Sequence, residues 1–250
     1  MTKTPTYYAA TLPDGTVPTI TGGRAPLDLL TAGADGITRH PAPGKRWFDN
    51  DSFFTIVTQP GESLRGLWRW PVRLFIVEPV GETGTGDRYY PYQRMTHALR
   101  VVEETDAWRA FGPLGQKVLD SWTELPALAR GWAHEWSADP DGMHQRYEDW
   151  RLCNTETTTS GVRAEAMAAE AANRARRGEA LTTARKIAID MATRAASSIG
   201  ADQAAIHYSC RRAAHLAEAV LLADRLTPYL ADTLRGIHLE SGSSRLRADA

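Results

Sequence analysis

Glu78 ends the most apolar run of the chain, Val72-Arg73-Leu74-Phe75-Ile76-Val77. A carboxylate at the end of such a run can be drawn out of water and turned into an acid–base group, whereas a strand end before Pro79 suits an ordinary solvated glutamate. Just beyond it, Gly81-Glu82-Thr83-Gly84-Thr85-Gly86 has the glycine density of a phosphate-binding loop. No Gly-Lys-Ser/Thr follows and no helix opens there, so a flexible hairpin turn is expected. His207, Arg211 and His215 recur at every fourth residue beside Cys210. A closed metal site needs three or four good ligands, so this row reads as a polar helix face, with no metal and no cofactor expected. His134-Glu135 lacks the second histidine of a zinc-protease motif.

Two aromatic groups also invite a chemical reading. Arg65, Arg69 and Arg73 alternate with Trp68 and Trp70, the mixture of cations and rings found on single-strand nucleic-acid surfaces. The overall charge favours a twisted strand with solvated arginines instead. Trp122, Trp132, Trp136 and Trp150 recur in the middle of the chain, where they suit a core that joins elements together, or an interface.

The charge balance bounds the partners. Among 250 residues, 29 Lys and Arg face 30 Asp and Glu, for a net charge of −1. Residues 1–105 carry 11 basic and 11 acidic side chains, so neither part hides a basic domain. A broad nucleic-acid role or a membrane-surface role is disfavoured. The two cysteines, Cys153 and Cys210, cannot build a disulfide framework. No apolar run reaches the length of a membrane span and the N-terminus lacks a signal core, so a cytoplasmic protein is expected.

What must position these residues changes near residue 105. Ten of the 14 prolines precede it, and none lies between Val162 and Ala223, an alanine-dominated stretch. Strands and turns are therefore expected before the break and helices after it. Strands are predicted at 6–11, 16–21 (as a hairpin with the first), 37–39, 53–58, 72–79 and 97–103, with one helical turn at 26–30. Short helices follow at 106–111, 114–122, 126–136 and 143–152, with a turn at Asp139-Pro140-Asp141-Gly142. Two long helices, 162–198 and 201–224, are separated by Gly200, and a last helix starts at Thr227-Pro228. The second long helix should bury Ile206, Cys210, Ala213, Ala217 and Val220 against Ala184, Ala188 and Ala195 of the first.

Residues 7–104 resemble a family of small proteins from actinomycetes and phages. The resemblance is carried by Tyr8-Ala9-Ala10-Thr11-Leu12-Pro13-Asp14-Gly15, by Arg39-His40-Pro41, by the run from Trp70 to Gly81, and by Leu99-Arg100-Val101-Val102-Glu103-Glu104. It implies a strand-rich domain with an Ala-rich helical extension and brings no activity with it. A second similarity is to ADP-ribosyltransferase folds. It would give Glu78 the role of catalytic glutamate and place Thr55 and Thr58 on the middle strand of the cleft. The first strand offers none of the Arg or His residues those folds use.

The expected architecture is α+β: a small, mostly antiparallel sheet domain over 1–105, a helical domain over 106–240 and a flexible tail over 241–250. The function expected is that of an intracellular bacterial or phage accessory protein, a non-catalytic protein-interaction or self-association module whose partner is another protein or a second copy. The alternative is a divergent ADP-ribosyltransferase-like enzyme using Glu78 with Thr55 and Thr58.

Overall fold

The computed structural model describes residues 5–17, 27–43, 52–64, 67–85, 92–145 and 180–221. The fold is α+β, with an antiparallel seven-stranded sheet followed by helices. Two compact units divide at Gly112/Pro113.

The sheet unit is built from β1 (Tyr7–Thr11), β4 (Thr38–Arg39), β5 (Phe54–Val57), β6 (Arg73–Pro79), β7 (Thr83–Thr85), β8 (Gln93–Thr96) and β9 (Ala98–Thr105), in the order β4-β9-β6-β1-β5-β8-β7. β2 (Thr16–Val17) and β3 (Leu27–Asp28) form a separate pair. The apolar run before Glu78 becomes β6, flanked by β9 and β1, with Leu74, Phe75 and Val77 buried.

The order hides a closure. β9 is second and β8 sixth, about 19 Å apart in a flat sheet at a strand spacing of about 4.8 Å. Only His97 separates them in the chain, so their ends lie within about 7 Å of each other. The sheet must curl until its two sides meet. His40 records the meeting: its N–H donates to the His97 carbonyl at 2.8 Å, while its ring lies 5.3 Å from Phe54 on β5. Pairing along β6 and β9 continues to Val80, whose N–H donates to Ala98 O, and Gly81 then takes φ 87° as the chain turns into β7. A side chain would be strained in that backbone. Inside the curl, Ala9, Phe54, Ile56, Phe75, Val77 and Leu99 form one core with Leu29. A 3₁₀ turn at Pro60–Leu64 lies against β1 and β5.

Several expectations are corrected here. Thr16–Val17 pairs with Leu27–Asp28 rather than returning along β1, whose neighbours are β5 and β6. Leu27–Asp28 is strand instead of helical turn, because the Asp28 carboxylate accepts the N–H groups of Leu30 and Thr31 and turns the chain sharply. Thr83–Thr85 is an edge strand on β8, where a flexible turn was expected. β8 was not foreseen: Gln93-Arg94-Met95-Thr96 has little β-branched or aromatic content, and its pairing with β5 comes from the curl.

A 3₁₀ segment, Ala107–Leu114, closes the sheet unit at Gly112 and leads into the helical unit, to α1 (Gly115–Thr123) and α2 (Leu125–Ala138), where Pro126 sits in the first turn. Asp139–Gly142 opens the next helical stretch, 140–145: the Asp139 carboxylate caps the N–H of Gly142, so these turn-forming residues act as a helix start. Then come α3 (Ala180–Ser197) and α4 (Gln203–Leu221), with Gly200 at φ 71° between them. The expectations for 18–21, Arg65, 146–179, Cys153, Trp150, the helix from Thr227 and the tail lie outside the described residues.

The buried stripe of α4 is Ala205, Ser209, Arg212, Ala213, Ala217 and Leu221, while Ile206, Cys210 and Val220 are only half-buried. The stripe is turned from the one expected because α4 packs against α1 and α2 and also touches α3, where Thr193 Oγ1 and Cys210 Sγ are 3.1 Å apart. Ala217 is fully buried and Ala204 exposed on the same helix. Ala217→Leu should therefore cost about 1–3 kcal/mol through overpacking, and Ala204→Leu almost nothing. Thermal melts of the two variants provide the measurement, and equal melting points would show that α4 does not pack through Ala217.

Candidate functional site

The pleat puts Thr55 and Glu78 on one face of the sheet but on different strands. Tyr8 pairs with Val57 and with Ile76, so β1 runs between β5 and β6. Continuing the register sets the backbones of Thr55 and Glu78 roughly 16 Å apart, from a strand spacing of about 4.8 Å and a rise of about 3.3 Å per residue. Glu78 is exposed, and its carboxylate lies 3.9 Å from Arg100 across the β6–β9 pair. Thr55 is exposed and accepts a 3.4 Å bond from the Gln93 amide. Thr58 is half-buried just past β5, and its N–H donates to Tyr92 O.

A stronger ion pair crosses the same sheet. Arg73 grips Glu104 through two bonds, Nε to Oε1 at 2.9 Å and Nη2 to Oε2 at 2.6 Å, and its guanidinium lies 5.0 Å from the Phe75 ring. The guanidinium holds the Glu104 carboxyl below the usual carboxylate value. Asp35 is pulled down to about 2 by Arg39, the first cation of the Arg-His-Pro motif. His40, the second residue of that motif, is buried, and its Nδ1 accepts the N–H of Ala42. The motif thus ties down the curl of the sheet.

On α4, Arg211 Nε donates to His207 Nε2 at 2.9 Å, so these two side chains are engaged with each other. Burial pushes the Cys210 thiol up, against a smaller opposing pull from Thr193, which leaves it a poor nucleophile. Among the described residues no three His, Cys, Asp or Glu side chains gather as a metal site, and no helix is long and apolar enough to cross a membrane. His134 is exposed, whereas Glu135 turns toward the interior.

That interior holds a buried cation. Arg212 is 3% exposed, with its guanidinium 4.8 Å from the Trp132 ring and 5.4 Å from Tyr208. It donates to the Tyr208 hydroxyl at 2.9 Å and sits 3.7 Å from the Glu135 carboxylate. Burial works against its charge, and Tyr208 and Glu135 work for it. Beside it, the Ser209 hydroxyl is within reach of both Ala129 O and Ala205 O, tying α4 to α2. An arginine amid alanines reads as solvent-facing, and the only signal to the contrary was the pairing of Trp132 and Glu135 at i,i+3 on α2, which leaves one helix face with both a ring and an anion.

A buried ion pair is costly to break by removing one partner and cheaper to replace as a whole by apolar side chains. Arg212→Ala should cost about 3–5 kcal/mol, and the double variant Arg212→Met with Glu135→Leu clearly less. Urea melts compare them, and equal losses would exclude an electrostatic origin. The Arg73–Glu104 pair carries a pH signature. Because the folded Glu104 value is depressed, its contribution is complete above the unfolded carboxylate value and fades as pH falls through the folded one. Half-exposed, it is worth at most about 1 kcal/mol. Glu104→Gln should lower stability at neutral pH and converge with the parent in acid; a constant difference would contradict the assignment. Comparison with family models, curated proteins and solved structures finds no match for the chain.

Proposed function

We propose that this chain is a non-catalytic interaction module whose partner is a protein, and that it also associates with itself. The observation that supports the reading is an apolar surface at the α3–α4 turn. Trp136, Ala201 and Ile206 pack on Ala133, Ala196 and Ala205 while remaining only half-buried. Ile199, two residues from Ala201, is 43% exposed. A scattered apolar residue means little, but Trp136 and Ile206 share one cluster and Ile199 lies exposed on the turn beside it, apolar surface of the kind partners cover. The alanines of α3 and α4 do not supply it, because Ala184, Ala188, Ala213 and Ala217 are already buried within the unit.

Light scattering over a concentration series tests the reading. The parent protein should gain mass with concentration. Ile199→Asp and Ile206→Asp should each weaken association about tenfold or more, as expected when one aliphatic side chain no longer leaves water at an interface. A strict monomer at every concentration, with no protein bound, would remove the proposal.

A further inference from the structure

The loop before β6 departs from the expected strand of solvated arginines. Leu67 and Val72 are buried and clamp its two ends, while Trp68 and Arg69 project between them. Trp68 is 43% exposed and holds φ 41°, a left-handed backbone that costs a bulky residue on the order of 1–3 kcal/mol. A tryptophan kept in a strained conformation with nearly half of its surface exposed offers ring area to a ligand. Trp70 is half-buried, with its ring edge-on to Phe111 at 6.5 Å, which fixes the loop against the 3₁₀ segment 107–114. Trp108 precedes Phe111 by three residues, the spacing that stacks side chains on one face of a 3₁₀ turn. The Arg109 guanidinium lies 5.6 Å from the Trp108 ring and only loosely, at 3.9 Å, from Asp106. Arg69 is exposed, and no acidic side chain pairs with it among the described residues.

From this placement we propose that the Trp68–Arg69–Trp70 loop, with Trp108 and Arg109, is a stacking site for single-stranded nucleic acid. A ligand that satisfies the loop must offer a flat face to an indole and an anion to a neighbouring guanidinium. A nucleotide in a single strand offers both, whereas a duplex hides the base faces. The chain's net charge of −1 confines the contact to this loop and a few nucleotides. The site is independent of the apolar patch at the α3–α4 turn, and either can fail without the other.

Fluorescence anisotropy of a short labelled oligothymidylate, titrated with the full chain at low salt, tests it. Binding should saturate and quench tryptophan emission. Trp68→Asn should weaken binding about tenfold or more, because asparagine tolerates the left-handed backbone but cannot stack. Arg69→Ala, on an exposed side chain with no structural bond, should reduce the slope of log affinity against log salt by about 0.7, and Lys117→Ala in the helical unit should change nothing. No anisotropy change with the parent protein would overturn the proposal. So would affinity equal to the parent's in both Trp68→Asn and Arg69→Ala, or competition by polyglutamate as effective as that by unlabelled oligothymidylate, which would mark an acidic-protein surface instead.

Discussion

The sheet unit depends on one geometric constraint: the chain must pass from β8 to β9 through His97 alone while the two strands pair with different neighbours. A flat sheet cannot meet it, so the ladder curls, and the curl creates the enclosed core of Ala9, Phe54, Ile56, Phe75, Val77 and Leu99. The polar groups around the corner follow from the same requirement. Backbone atoms where a strand changes partner are drawn out of regular pairing, and each must find another bond in a dry place. The His97 carbonyl takes the His40 N–H, and the Thr96 hydroxyl donates to Ala98 O. Gly81, across the hairpin, absorbs the matching bend in a conformation open to glycine.

The helical unit solves a different problem. Alanine faces let helices approach closely but bury little apolar area, so they align helices without holding them strongly. Arg212 and Ser209 add directional contacts among Trp132, Glu135, Tyr208 and the Ala129 carbonyl. A slid or rotated α4 would strand a guanidinium away from water, a larger penalty than the loss of a few methyl contacts. The buried charge thus acts against alternative registers that an all-alanine face would tolerate.

This division explains what could be read in the sequence. Local periodicity and punctuation placed β5, β6, β9, α1, α2 and the two sides of Gly200, because those signals need only neighbours in the chain. Strand order was not legible: it rests on pairings such as Tyr7 with Val77 and Val77 with Val101, which periodicity does not encode. β8 stayed hidden because its residues are ordinary and its partner is distant. Arg212 stayed hidden for a related reason, since its environment comes from α2. Of the residues singled out for chemistry, the loop at Trp68 was visible as a mixture of rings and cations, but its exposure and left-handed backbone belong to the folded chain.

The ionic groups of the sheet unit show how its surface is divided. Arg73 with Glu104 and Glu78 with Arg100 each join β6 to β9, and Asp35 with Arg39 pins the end of β4. Each pair lies flat on the surface it braces, so these charges neutralise one another where they stand. β9 is further guarded along its length: Val102 is an extra residue in the ladder, where the register slips between Ile76 and Val77, and such a bulge with charges on either side resists the addition of another strand. With its edge blunted and these three acids paired, the sheet presents little for sheet-to-sheet association. What extends beyond it is the Trp68 loop, held by buried residues at both ends, where aromatic surface and positive charge stand together without an acid to cancel them. Specific recognition needs groups that are held and exposed, and Trp68 and Arg69 are both exposed on this loop.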